Sequence, residues 1–125
     1  MSPVTLTFAA DTANVALART VAAAMAARAD LPIDQLEDVR LAVDEAVSQL
    51  IADAPDGASV ACRFEAAGST LRIVVSAPSA SGRTPARDTF GWTVLSALVD
   101  VVGAEVSEGV VTLDLRIARS VAVQA

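Results

Sequence analysis

Apolar and polar residues alternate along Val4-Thr5-Leu6-Thr7-Phe8, the period-two signature of a half-buried strand. An Ala-rich stretch follows, in which Val15, Leu17, Val21 and Met25 carry the apolar bulk. With Asp11 or Thr12 as its cap, it predicts a helix to about Ala29, ended by Asp30-Leu31-Pro32. Asp34, followed three residues later by Glu37, has the form of a capping box and predicts a second helix to about Asp53. Leu36, Val39, Val43, Val47 and Leu50 recur at three- and four-residue spacing, which gathers them on one buried stripe. Ala54-Pro55-Asp56-Gly57 reads as a turn. Alternation returns at Val60, Cys62 and Phe64 and again at Leu71, Ile73 and Val75: two strands, joined as a hairpin across Ala67-Gly68-Ser69. Residues 77–90 have no apolar period, and a connection of that length is expected to be functional or mobile. A third helix fits Gly91 to about Val101, and Ala104–Val106 with Val110–Ile117 predicts a closing hairpin across Ser107-Glu108-Gly109.

The resulting order is β-α-α-β-β-loop-α-β-β. Strands joined by tight turns imply a mostly antiparallel sheet, and three helices are enough to cover one of its faces. The predicted fold class is α+β, a two-layer sandwich, as a single domain over residues 1–118 with a fraying tail at 119–125. No internal repeat or linker interrupts it.

Composition narrows the chemistry. Over 125 residues, 54% hydrophobic content fills a core and argues against disorder. There is no His or Tyr, and all 9 basic residues are Arg. A Ser-His-Asp or Cys-His triad therefore lacks its imidazole, and a Walker A loop or a Schiff base lacks its Lys. One Cys without His makes a poor zinc site. Cys62, in phase with Val60 and Phe64, is expected to be a buried structural residue. The net charge of −6 argues against direct nucleic-acid binding. No signal peptide or membrane-spanning run is visible, so the expectation is a cytoplasmic protein with no membrane association.

Glu45 offers the best candidate for chemistry. It lies opposite Leu36 on a helical wheel, and Gln49 follows one turn later on the same side. Leu41 and Ala42 flank the pair, so this second face is semi-apolar and suggests a covering element or ligand. On spacing alone the plainer reading is a pair of solvated residues on an outer helix face.

The run from Leu36 to Ile51, LEDVRLAVDEAVSQLI, resembles the N-box helix of bacterial anti-sigma regulatory factors of the RsbW type, small serine kinases of the Bergerat (GHKL) ATPase superfamily. The other landmarks follow in order: an opening strand, Arg19 in the first helix, a hairpin, a lid loop, and Phe90 to Asp100 as the post-lid helix. The resemblance spans roughly residues 4–118 and implies the Bergerat fold. It makes Glu45 the candidate catalytic base and Gln49 the occupant of the Mg²⁺-binding Asn position. It places Ala77 where relatives have an adenine-reading Asp, Ser79 and Ser81 where they have glycines, and Gly91 as a lid-end glycine, with Thr89 in place of the other.

At most of these points the chain departs from the pattern. Gln49 keeps the amide but displaces its oxygen by about 1.5 Å, which Mg²⁺ tolerates badly. Asp88 is the only acid between Glu65 and Asp100, too far along to stand in for the missing Asp. The implied function is that of an anti-sigma factor, binding and occluding an RNA polymerase sigma factor, with a STAS-domain antagonist as competitor. Kinase activity is expected to be weak or lost, and no cofactor is expected; the alternative is an active serine kinase using Mg-ATP on the antagonist, and a third reading is an interaction domain retaining only the fold. Arg19 is the candidate partner contact. Arg83 and Arg87 meet phosphates or a partner, or are solvated loop charges; Trp92 packs or lines the pocket mouth. The alternating first strand, left as an edge, invites a homodimer.

Overall fold

The computed structural model describes residues 2–120. Its elements are β1 (Val4–Ala9), α1 (Val15–Arg28), α2 (Ile33–Ala52), β2 (Ser59–Ala67), β3 (Thr70–Pro78), α3 (Phe90–Leu98), β4 (Val101–Ser107) and β5 (Val110–Ala118). The five strands form one sheet in the order β1-β2-β3-β5-β4, and every neighbouring pair is antiparallel. The fold is therefore the α+β sandwich the pattern implies, with both β1 and β4 at edges.

Register explains the single core. Phe8 pairs with Val60, Cys62 with Val75, Val75 with Leu113, and Ile73 with both Phe64 and Leu115. The period of two places all of these on the same face, and all are buried. Against them pack the inward stripes of the helices: Ala18, Ala22, Met25 and Ala26 of α1; Val39, Ala42, Val43, Ala46, Val47 and Leu50 of α2; Trp92 and Leu95 of α3. α1 contributes mostly methyl groups, and such small side chains let it lie close against α2. The opposite sheet face carries Arg63, Glu65, Arg72, Val74, Asp114 and Arg116, none of them buried. Among the described residues no polar or charged residue is buried.

Several boundaries differ from the sequence pattern. A short 3-10 turn, Thr12–Asn14, precedes α1; Asp11 caps it by accepting from the Ala13 N–H at 2.9 Å. Asp34 is not the cap of α2. Pro32 holds that position with φ −63°, and Leu36 N–H donates to the Pro32 carbonyl at 2.9 Å, so the helix starts two residues earlier. Burial of Leu31 fixes this entry, and Asp34 instead places its charge in the first turn, where the helix dipole favours it. Glu37 pairs with Arg40 at 3.0 Å rather than closing a capping box. Leu36, at the start of the predicted stripe, is only half-buried.

α3 stops at Leu98, three residues short of expectation, because Val99 turns extended at φ −127° and ψ 159°. The β-branched residues beyond it find a partner in β5, and that pairing outweighs continuation of the helix. Asp100 secures the switch: its N–H donates to the Arg116 carbonyl at 3.0 Å, and its carboxylate accepts from the Ala118 N–H at 2.7 Å. β4 and β5 join through Glu108 and Gly109, both left-handed at φ 51° and 76°, a turn that matches the twist of the strands. The expected fraying tail begins with two bonded residues: Arg119 N–H donates to the Ser69 carbonyl and Ser120 N–H to Gln35 Oε1. Residues 121–125 of that tail lie outside the described residues.

Candidate functional site

α2 is the central helix, and its two flanks carry different groups. On the α1 side Asp44 Oδ2 accepts from Arg19 Nη1 at 2.7 Å. Arg19, the candidate partner contact, is thus already paired within the chain and lies away from the cleft.

On the other side the row Glu45, Gln49, Asp53 runs one residue per turn to the helix end. It forms one wall of a cleft of about 490 Å³, completed by Ser81, Arg83, Thr84, Pro85, Ala86 and Thr89 of the loop and by Gly91. The second face of α2 is therefore covered from Glu45 onward, by α3 and by the loop that leads into it, whereas Leu41, one turn earlier, stays 53% exposed. Gly91 sits hard against the row. A Cβ there would stand 2.3 Å from Glu45 Oε1 and 2.7 Å from Gln49 Nε2, so only glycine lets α3 start at this place with those side chains as they are.

Gln49 Nε2 donates to Glu45 Oε1 at 3.0 Å. That bond fixes the amide, because a flip would set two oxygens against each other. Gln49 Oε1 is left as the one buried side-chain polar atom without a partner among the described residues, an arrangement that costs about 1–3 kcal/mol.

The far end of the cleft holds a residue that the sequence reasoning missed. Asp53 accepts from the hydroxyls of Ser79 and Ser81, the latter at 2.8 Å, and from the Ser81 N–H at 3.2 Å. The Ser79 hydroxyl, then that of Ser81, hold its carboxyl below the usual carboxylate range, against a smaller opposing effect of burial. A signal for it was available: Asp53 stands four residues beyond Gln49, on the row already in view.

The remaining candidates fall into place as follows. Ala77 is buried at 2% exposure, paired across the sheet with Val111. Ser79 and Ser81 are half-buried and exposed, both turned to Asp53. Thr89 caps α3, its Oγ1 accepting from the Trp92 N–H at 3.2 Å. Trp92 is a core residue, 7% exposed, and Arg87 lies over its ring at 5.0 Å from the centroid. Arg83 lines the cleft. Cys62 is fully buried, as expected.

Measured against Mg-ATP, these residues do not make a matching set. The unpaired Gln49 oxygen is an acceptor in search of a donor or cation. Where the resemblance puts an adenine-reading Asp, however, the chain has the methyl group of Ala77, buried and outside the cleft lining, and the Asp53 carboxylate is already taken by three donors. Ser79 and Ser81 stand where the resemblance puts glycines, and the start of α3 is pressed against Glu45.

Comparison with known proteins bears on the same region. The model of the histidine kinase-like ATPase domain matches residues 8–117. The anti-sigma-F factor RsbW of Mycobacterium tuberculosis, in each of two strains, is 35% identical over 99 residues, 79% of this chain and 59% of that protein. The chain thus spans less than two thirds of the length of these curated relatives. A crystal structure of the RsbU and RsbW domains of a Mycobacterium tuberculosis protein is similar in fold, with a TM-score of 0.72 over 94% of this chain and 32% of that one at 21% identity. With the family match running from the end of β1 to the end of β5, the chain belongs to the histidine kinase-like ATPase domain family.

Proposed function

We propose that this domain is an anti-sigma factor that binds an RNA polymerase sigma factor and occludes it without using nucleotide. The observation that carries the partner is the 35% identity to a protein named as an anti-sigma-F factor, over 79% of this chain. Supporting the second half of the reading are Ala77 at the adenine-reading position and the engagement of Asp53 by its own serines. A STAS-domain antagonist competes for the same surface in this scheme, and the protein works in the cytoplasm; among the described residues no helix is long and apolar enough to cross a membrane. A homodimer paired through the edge strand β1 is part of the proposal, and a sedimentation mass near 12.7 kDa at micromolar concentration would remove it.

The test is calorimetric titration of the protein against the purified sigma factors of its source organism, with run-off transcription alongside. One sigma factor is expected to bind and to lose promoter activity; binding to none refutes the reading. Mg-ATP is expected to give no heat at ordinary protein concentrations. Losing one charge-assisted hydrogen bond to adenine alone costs about 1.5–3 kcal/mol, roughly ten- to a hundredfold in affinity.

A second reading, an active serine kinase acting on the antagonist, draws on Glu45 lining the cleft beside the unpaired Gln49 oxygen. Tight Mg-ATP binding with phosphate transfer to the antagonist would put that reading first.

A further inference from the structure

From Ser79 to Thr89 no residue of the connection between β3 and α3 is buried. Apolar packing therefore does not hold it, although ordering a Gly-, Ser- and Pro-containing segment carries an entropic cost for every residue fixed. Polar bonds hold it instead, and they converge on one carboxylate. Asp53 accepts from both serine hydroxyls and from the Ser81 N–H, and its own carbonyl accepts from the Ala80 N–H at 2.7 Å. Each hydroxyl passes the bonding on: Ser79 Oγ accepts from the Gly82 N–H at 3.0 Å and Ser81 Oγ from the Arg83 N–H at 3.2 Å. Ser79 N–H donates to the Gly109 carbonyl at 2.8 Å, which ties the same segment to the β4–β5 turn. Residues 79–83 are thus wound around the C-terminal end of α2. At its other end the connection is held by the Thr89 cap and by Arg87 over Trp92.

We propose that Asp53, Ser79 and Ser81 form a built-in latch that holds the loop over the cleft with no ligand bound. The two serines are then more than lost glycines. They supply, with Asp53, internal bonds that order the loop. The surface made by α2, the loop and the start of α3 is formed permanently and presented to a partner without a loading step. The last point rests on the nucleotide-free reading; the latch itself does not.

Limited trypsin digestion tests it, because Arg83 and Arg87 place two cleavage sites inside the loop. The unmodified protein is expected to be cut slowly after Arg83. Asp53→Ala is expected to raise that rate tenfold or more, and Asp53→Asn, which keeps one acceptor oxygen, to raise it less. Should Asp53→Ala fail to fold, the pair Ser79→Ala with Ser81→Ala removes the same hydroxyl bonds while leaving the helix end intact. Folded variants that are cut after Arg83 at the unmodified rate overturn the latch. Millimolar Mg-ATP is expected to leave digestion of the unmodified protein unchanged. Protection by Mg-ATP overturns the nucleotide-free reading, whatever the variants show.

Discussion

Replacing Arg19 by Glu tests two ideas at once, because Arg19 is both the proposed partner contact and one half of an ion pair. Considered as an exposed helix residue it is expected to tolerate the change with no loss of stability; the 2.7 Å contact with Asp44 alters that expectation. The two side chains are 37% and 32% exposed, so solvent screens the pair and its contribution stays within about 0.2–1 kcal/mol. Arg19→Ala loses that amount. Arg19→Glu adds repulsion from Asp44, about 1 kcal/mol at 4 Å in water-like surroundings, which the side chains partly relieve by swinging apart. The sum is roughly 1–2 kcal/mol, or about 3–8 °C in melting temperature for a domain of this size. Exchanging the charges, Arg19→Glu with Asp44→Arg, is expected to recover most of the loss. Calorimetric melting of the four proteins measures the first idea, and sigma-factor titration of the same samples measures the second. If both single variants melt like the parent, the bridge contributes nothing and the reasoning fails. If the exchanged pair regains full affinity along with stability, Arg19 acts only through α1–α2 packing and leaves the interface.

Phe64, fully buried between sheet and helices, is expected to cost about 3–5 kcal/mol as Phe64→Ala, read as a drop in the denaturant midpoint; a loss under 1 kcal/mol would contradict a close-packed core. Burial pushes the Cys62 thiol up to about 12, so iodoacetamide at pH 8 should label it only after unfolding, and labelling of the native protein at the rate of a free thiol refutes this. Because that folded value lies above the unfolded 9.0, the Cys62 contribution is complete below pH 9 and is lost as pH rises toward 12. The hydrogen bond from Arg72, opposed in part by burial, holds Asp114 below its ordinary 3.8; its contribution is present above pH 3.8 and is lost as pH falls through the lower folded value. Asp114→Asn should therefore flatten acid-induced loss of melting temperature, and an unchanged acid limb would exclude the pair as a source of stability.

The fold was legible because its strands and α2 are written in local period. The alternation at 60–64 and 71–75 and the stripe from Val39 to Leu50 survive intact in the structure. Misplaced boundaries lie where a distant partner decides: Asp100 and Val101 read as helix until β5 bonds with them, and Pro32 replaces Asp34 because Leu31 is drawn into the core. Strand order was not readable either, since nothing in the local pattern says that β5 slots between β3 and β4. At the site, Glu45 and Gln49 were found from helical spacing, and their meeting with Gly91 needed the tertiary structure. Asp53 continues that helical row, but nothing local marks it as the acceptor for a loop that lies beyond two intervening strands. Its partners Ser79 and Ser81 lie 26 and 28 residues away in sequence.

The position of β5 has a consequence for when the molecule can form. As the chain emerges from the ribosome, β1, β2 and β3 are available early, and the β2–β3 hairpin has its partner at once. β4 emerges next but has no neighbour until residues 110–118 follow, because β5 alone bridges it to the rest of the sheet. Val111, Leu113, Leu115 and Ile117 also supply part of the floor on which α2 rests. Until that strand is made, β4, against which α3 packs, is not joined to the sheet, and the cleft lacks the Val111 part of its lining. Cooperative closure thus waits until residues 110–118 are made, and a nascent chain stalled before Val110 leaves the edge of β3 unpaired and its apolar face uncovered, a natural target for holding chaperones.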